Sequence, residues 1–273
     1  MTLQINNQPL ISFIIAYYNA GATIQETIES ILNQSYPNYD IWIVNDGSTD
    51  ENSLKKLKEF ECLENVNVLY QDNAGPSVAR NHAIEKTKAA FFVPLDADDL
   101  IQKNALQETV NEIFQNSEVG AVYGDFSWFG SKKGVKKQDD FLLEKQFLMN
   151  QIAVTALIRK QMWQEIQGYD TYLSMPGLED WEFWLRAGLS KWKLKHKDLL
   201  FFSVRVNHDS RTYQVANKNL EKIKKYVFEK HAVALAQCFE SIYYQKKQLL
   251  ETPDYRIGNF LLKPYRFIKN LFK

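Results

Sequence analysis

The sequence predicts an α/β protein: a mostly parallel, wound sheet with a helical extension at its carboxyl end. Three observations lead there. Short runs rich in β-branched and aromatic residues alternate with amphipathic stretches of helical period through residues 11–95. Each run is followed by polar, turn-forming residues just beyond its carboxyl end. The fourth run, Ala90 to Leu95, ends directly in three carboxylates, Asp96, Asp98 and Asp99. Open sheets of this kind bind ligands outside the carboxyl ends of their strands, so the polar loops are predicted to converge on one crevice.

The elements follow in order. Ile11 to Ala16 reads as a strand buried on both faces, and Tyr17, Tyr18 and Asn19 follow it. Thr23 and Glu26 have the spacing of a capping box, opening a helix with Ile24, Ile28, Ile31 and Leu32 on one face and stopping before Pro37. Tyr39 to Val44 is a second strand, ending in the turn Asn45-Asp46-Gly47-Ser48, with a helix at about residues 52–60. A third strand, Val66 to Tyr70, leads through Asn73 and Gly75 into a helix bearing Arg80 and Ile84. After the acidic cluster come a helix over Asn104 to Phe114 and a strand over Val119 to Gly124. Ser131 to Lys137 is a basic loop, either a solvated hairpin or a phosphate or acceptor contact. The apolar run Ile152 to Ile158 predicts another strand. Gly177-Leu178-Glu179-Asp180-Trp181 begins a helix with both acids in its first turn, where the helix dipole favours negative charge. Leu199 to Val206 is the last strand, and residues 217–250 read as one or two helices, with Leu220, Ile223 and Val227 at helical spacing.

Composition narrows the classes. The 33 basic and 33 acidic residues cancel, so no global field argues for nucleic acid. At 273 residues with 45% hydrophobic content the chain can bury a sizeable core without metals or disulfides. Cys62 and Cys238 stand far apart with no metal-type spacing, which fits a reducing compartment. The amino terminus lacks a secretory signal pattern, and no apolar run approaches the roughly 18 to 20 residues that span a bilayer. A cytoplasmic protein is expected, with attachment at the inner face of the membrane left open. The segment 255–273 alternates apolar groups with Lys and Arg and contains no acid. It would either lie on an anionic lipid surface or cover the core or a subunit interface.

Carboxylates crowded at a strand end repel one another unless they meet a cation. Oxygen-only ligands favour a hard ion such as Mg²⁺ or Mn²⁺, completed by water and substrate phosphates. An isolated D-x-D triplet is equally a solvated turn or a helix cap, so its meaning rests on context.

That context is a resemblance. SFIIAYYN, LNQSYPNYDIWIVNDGSTD, GPSVARNHAIEKTKAAFFVPLDADD and GLEDWEFWLR, in that order over roughly residues 11–186, resemble the family 2 glycosyltransferases, inverting enzymes of the Rossmann-like GT-A fold. The resemblance implies a GT-A domain over residues 1–210, with a nucleotide-sugar half to about residue 125 and an acceptor half beyond it, and a helical extension over residues 211–273. It implies a UDP-sugar donor, a glycan or lipid-linked acceptor hydroxyl, Mn²⁺ or Mg²⁺, and a place in polysaccharide or glycoconjugate assembly.

Roles carry over residue by residue. Ala16, Tyr18 and Asn19 would lie at the nucleotide pocket, and Asp46 would accept from the uracil imide N–H, unless it simply forms an Asp-Gly turn. Asn73 and Arg80 would approach the nucleotide; Arg80 would equally serve as support for Asp46 or Asp96. Asp96 would meet the ribose hydroxyls or a water on the metal, Asp98 would bind the metal directly, and Asp99 would orient that shell or cap the following helix. Asp180 would be the general base and Glu179 would hold the acceptor or orient the base. Trp181 is either a wall for a sugar ring or a core residue. His208 would join the metal or diphosphate, or be structural, and Arg211 would meet the phosphates. The sheet and acids also suit a nucleotidyl or phosphoryl transferase, or a noncatalytic subunit that keeps the fold for binding.

Overall fold

Four strands, β1 (Ile11–Tyr17), β2 (Tyr39–Asp46), β3 (Val66–Gln71) and β4 (Phe91–Pro94), run parallel in the order β3-β2-β1-β4 in a computed structural model of the chain. The structure describes residues 8–174, 177–206 and 217–251. β1 lies between two parallel neighbours, and alternate side chains feed two cores. Phe13 and Ile15 pack with Ile24, Ile28 and Ile31 of α1 (Ile24–Leu32); Ile14 packs with Ala79, Ala83 and Ile84 of α3 (Pro76–Lys86). A strand covered on both faces has no side for solvated residues, which is why this run lacks polar alternation.

The second half of the sheet continues through β8 (Leu157–Arg159), antiparallel to both β4 and β6 (Val119–Gly130). β6 therefore runs with β1 to β4, and β9 (Lys193–Val206) runs parallel to β6. The carboxyl ends of β1 to β4, β6 and β9 all face one edge of the sheet. A two-residue strand, β5 (Leu100–Ile101), closes the far side against β9. The basic loop is a hairpin in which β7 (Gly134–Lys136) returns along β6 with exposed side chains.

Several expectations change. Thr23 heads α1, but its hydroxyl makes no cap bond; it donates to the carbonyls of Ala20 and Ala97 instead. Glu26 pairs with Arg205 at 2.9 Å, so both residues of the expected capping box serve tertiary contacts. The run 152–158 is buried yet forms a strand only from Leu157, because side chains take its backbone groups: Gln138 accepts from Ala153 N–H and the Trp184 indole donates to the Ala153 carbonyl. β9 starts at Lys193, six residues before Leu199, in a stretch whose lysines hide the strand alternation. Lys193 and Lys195 pair with Glu118 and Glu112, and Lys197 donates to the Glu108 carbonyl on α4 (Ala105–Phe114). Asp99 does not cap α4, whose first-turn neighbour is Asn104.

The chain divides into two compact units, Met1–Val227 and Phe228–Lys273. Ile223 and Val227 of α8 (Asn217–Lys230) are buried, and the Tyr226 hydroxyl donates to Asp170 at 2.7 Å. In the second unit α9 (Ala232–Glu251) is one continuous helix. Among the described residues no helix is long and apolar enough to cross a membrane. The basic tail over residues 255–273 lies outside the described residues.

Candidate active site

Loops at the carboxyl ends of the first three strands interlock. Asn19, in a left-handed conformation at φ +48°, donates its N–H to the Ser48 hydroxyl and accepts from the backbone of Thr49 and Asp50, joining the β1 and β2 loops. Ala16 pairs with Val44 one step before the strand end, and Tyr18 is 51% exposed above it. Asp46 is buried; its carboxylate accepts from the Gln71 amide and from the N–H groups of Ala74 and Gly75, all at 2.8 to 2.9 Å. Asp46 therefore holds the loop that enters α3. Exposed Asn73 lies on that loop, where a Cβ at Gly47 would come within 2.8 Å of its backbone nitrogen. Gly75 adopts φ +84°, and a Cβ there would meet the Ser174 hydroxyl at 2.5 Å. That hydroxyl accepts from Ser77 N–H at 3.0 Å, tying the β3 loop to the segment before α7 (Glu179–Leu189).

The acidic turn after β4 is anchored from two sides. Thr23 holds the Ala97 carbonyl at 3.0 Å. Arg205, at the end of β9, donates its backbone N–H to Asp99 and its Nε–H to the Asp98 carbonyl. Burial first, and then the Asp96 charge, pushes the Asp98 carboxyl up to about 6. Asp99 is driven well above the usual carboxylate range by burial and by both neighbouring charges.

The second acidic station opens α7. Leu178 precedes it in the left-handed region at φ +59°, a strained conformation that turns the chain sharply into the helix. Asp180 is partly exposed. Its Oδ1 accepts from Trp181 N–H at 2.9 Å and its Oδ2 from the Asn150 amide at 2.7 Å. Burial, then the adjacent Glu179 charge, pushes the Asp180 carboxyl up to about 7, against the opposing pull of Arg80 and these two donors.

Arg80 joins the two stations. Its guanidinium is 2% exposed and donates Nη2 to Asp96 at 2.7 Å and Nη1 to Glu179 at 2.6 Å, with Tyr169 beneath it at 5.6 Å. Burial alone would favour deprotonation, but the two carboxylates outweigh it and keep the cation charged. Of the partners anticipated for Arg80, Asp96 is the one observed; Asp46 is taken by Gln71, Ala74 and Gly75. Trp181 is 3% exposed, and its indole N–H donates to the Gln146 carbonyl at 2.5 Å. It is a core residue, and the sugar-wall role falls because its ring is packed inside. His208 and Arg211 lie outside the described residues.

Among the described residues no cluster of three or more His, Cys, Asp and Glu side chains is arranged to hold a metal ion. The Asp96 and Asp98 carboxylates still suit a hard divalent cation: one oxygen of Asp96 is bound by Arg80, its side chain is 43% exposed, and like charge raises the proton affinity of Asp98. Two protein carboxylates completed by substrate phosphates are a usual Mg²⁺ arrangement.

Residues 12–170 match the profile described as glycosyl transferase family 2. The chain belongs to glycosyl transferase family 2. Within this family it is 36% identical over 114 residues to the putative teichuronic acid biosynthesis glycosyltransferase TuaG of Bacillus subtilis, covering 41% of this chain and 45% of that protein. It is 30% identical over 154 residues to the glycosyltransferase GlyG of Streptococcus pneumoniae, covering 56% and 50% of the two chains. The chain thus spans about half the length of these curated relatives. The crystal structure of Staphylococcus aureus TarS 1–349 in complex with UDP-GlcNAc superposes with a TM-score of 0.64 at 19% identity, covering 75% of this chain and 60% of that one. The likeness extends to the fold, and the GT-A class anticipated from the motifs is the one observed.

Sequence reasoning missed Asn150, Arg205 and Ser174. Arg205 had one signal, a cation one residue before the end of a strand that faces the acidic turn. Asn150 and Ser174 sit in irregular segments whose pattern carries no period.

Proposed function

We propose that this family 2 chain is an inverting glycosyltransferase that moves a hexose or N-acetylhexosamine from a UDP-sugar to a hydroxyl of a glycan or lipid-linked acceptor. The observation that carries this reading is the double ion pair of Arg80, which sets the β4 carboxylates and the start of α7 against one guanidinium. A donor diphosphate and an acceptor hydroxyl need groups of these two kinds on facing sides of one cleft. Support for the donor comes from the TarS complex with UDP-GlcNAc, and support for the polymer product from the poly-beta-1,6-N-acetyl-D-glucosamine synthase of Staphylococcus epidermidis, 34% identical over 120 residues.

The mechanism is one displacement. The acceptor oxygen attacks the anomeric carbon while an Asp180 oxygen takes its proton; the bond from that carbon to the β-phosphate oxygen breaks and UDP departs. Each Asp180 oxygen carries one hydrogen bond, so each retains a lone pair for the proton. Asp98, with Asp96 beside it, would hold Mn²⁺ or Mg²⁺, which supplies Lewis-acid stabilisation of the leaving diphosphate when bound. Asp46 shapes the base pocket with Ala16, Tyr18, Asn19 and Asn73, keeping one Oδ2 lone pair free of protein donors for a base N–H. Glu179 is held by Arg80 and lies at the acceptor side next to the base. His208 and Arg211 would close on the diphosphate from beyond β9. The chain would act at the cytoplasmic face of the membrane, with the basic segment 255–273 on anionic lipid.

A panel of nucleotide sugars assayed for Mn²⁺-dependent hydrolysis tests the donor without knowledge of the acceptor. UDP release from one UDP-sugar supports the reading. Release of pyrophosphate, or of a phosphorylated product, would assign the site to nucleotidyl or phosphoryl transfer.

A further inference from the structure

We propose that Asn150 is a positioning residue for Asp180: its side-chain amide, oriented by Gln146, fixes the carboxylate's rotamer and favours its charged form. The inference rests on the reading of Asp180 as the base and adds a part that no motif supplies.

A backbone donor sets the orientation of the Gln146 amide. Gln151 N–H donates to Gln146 Oε1 at 3.0 Å, and a backbone N–H cannot accept, so that end of the Gln146 amide is its oxygen. The other end is then Nε2, which donates to the Trp181 carbonyl at 3.0 Å and to Asn150 Oδ1 at 3.1 Å. With its oxygen occupied by a donor, Asn150 must turn Nδ2 toward Asp180, where it meets Oδ2 at 2.7 Å. Gln146 is fully buried on α5 (Leu143–Leu148), and its own carbonyl accepts the Trp181 indole N–H. A buried amide whose partners are all satisfied has no low-energy flip available.

Such a relay is asymmetric. It offers Asp180 an N–H donor and no acceptor, so a proton on Oδ2 finds no partner in Asn150 and removes the charge that strengthens the bond. The other charged and titratable groups around Asp180 are Glu179 on its own helix, Arg80 from α3 and Tyr169 from the preceding loop. Glu179 opposes ionisation and Arg80 favours it; Tyr169 is buried and neutral at ordinary pH. Asn150 adds a neutral donor on the side of the charged form without bringing a further charge into a crowded site.

The test compares Asn150→Ala and Asn150→Asp with the unaltered protein by two readouts. The carboxyl-carbon NMR titration of Asp180 should move upward in Asn150→Ala by roughly one pH unit, the scale of one hydrogen bond to a charged group. The acidic limb of kcat should move with it, KM for the donor staying within about twofold, while Asn150→Asp should raise the limb further by placing a second carboxylate there. An unchanged Asp180 titration in Asn150→Ala, with thermal unfolding intact, would overturn the proposal. Should Asn150→Ala unfold, Asn150→Ser, whose shorter side chain draws the donor back from Oδ2, takes its place: the Asp180 titration should then move upward from that of the unaltered protein by less than about one pH unit, and no movement would overturn the proposal. Full turnover in Asp180→Asn would instead sink the base assignment and leave the titration result standing, so the two failures are separable.

Discussion

Arg80 donates one terminal nitrogen to Asp96, 16 positions away, and the other to Glu179, 99 positions away. A single buried cation therefore holds the strand-end turn and the start of α7 in one place. Replacing it with methionine, which fills similar space without charge, should destabilise the fold by about 3 kcal/mol, the lower end for a broken buried pair because Asp96 retains a solvent face. Chemical denaturation checks this, and metal-dependent UDP binding should weaken in the same variant.

Asp180→Asn should cut turnover by about 10² to 10⁴ while leaving UDP binding nearly intact, as expected for loss of a general base. Steady-state kinetics beside calorimetric UDP titration measure both.

The pH dependence follows from the same carboxyl. With Asp180 pushed up to about 7, turnover should fall progressively below that pH as the base takes a proton. Stability has the opposite trend. The folded protein holds this proton more tightly than the unfolded chain, so stability declines as pH rises from the ordinary carboxylate range through about 7, and the cost is complete above it. Asp180→Asn should therefore raise the melting temperature above pH 7 and leave it unchanged near pH 3, which thermal scans across pH will show.

Asp98→Asn should abolish the Mn²⁺ dependence of UDP binding while leaving the fold intact, since the substitution also removes a buried like charge beside Asp96 and Asp99. Equal UDP affinity for wild type and variant across a Mn²⁺ titration would remove Asp98 from the metal role.

Gly75→Ala should cost at least about 2 kcal/mol, from a φ that side chains rarely adopt together with a methyl group driven into Ser174. Donor affinity should drop with stability, because Gly75 N–H is one of the bonds that Asp46 uses to shape the loop.

How much of this was legible in sequence depended on the kind of signal. Buried parallel strands announce themselves by unbroken apolar runs, and the motif loops lie directly after them, so the sheet edge, and the places of Asp46, Asp96 and Asp98 beyond its strands, could be read in advance. Thr23 and Glu26 show the limit: a local rule predicted a cap, and tertiary partners at Ala97 and Arg205 outcompeted it. Lys193 to Asp198 hid a strand because its alternate residues are charged, Lys195 and Lys197 being held by α4 and Lys193 by Glu118. Asn150 was invisible because its importance lies in an amide orientation set by Gln146 and Gln151, which no spacing encodes.

The lysine-studded half of β9 has a consequence for assembly. β5 pairs only with Phe202 and Ser203, which leaves the earlier part of β9 without a strand on that side among the described residues. Lys193, Lys195 and Lys197 place a cation at every second position of that bare stretch, so an incoming strand would lie beside a row of like charge. A second molecule seeking to extend the ladder would have to set its own side chains against that charge. A row of cations along a bare border is in this way a guard against fibres that grow by strand addition.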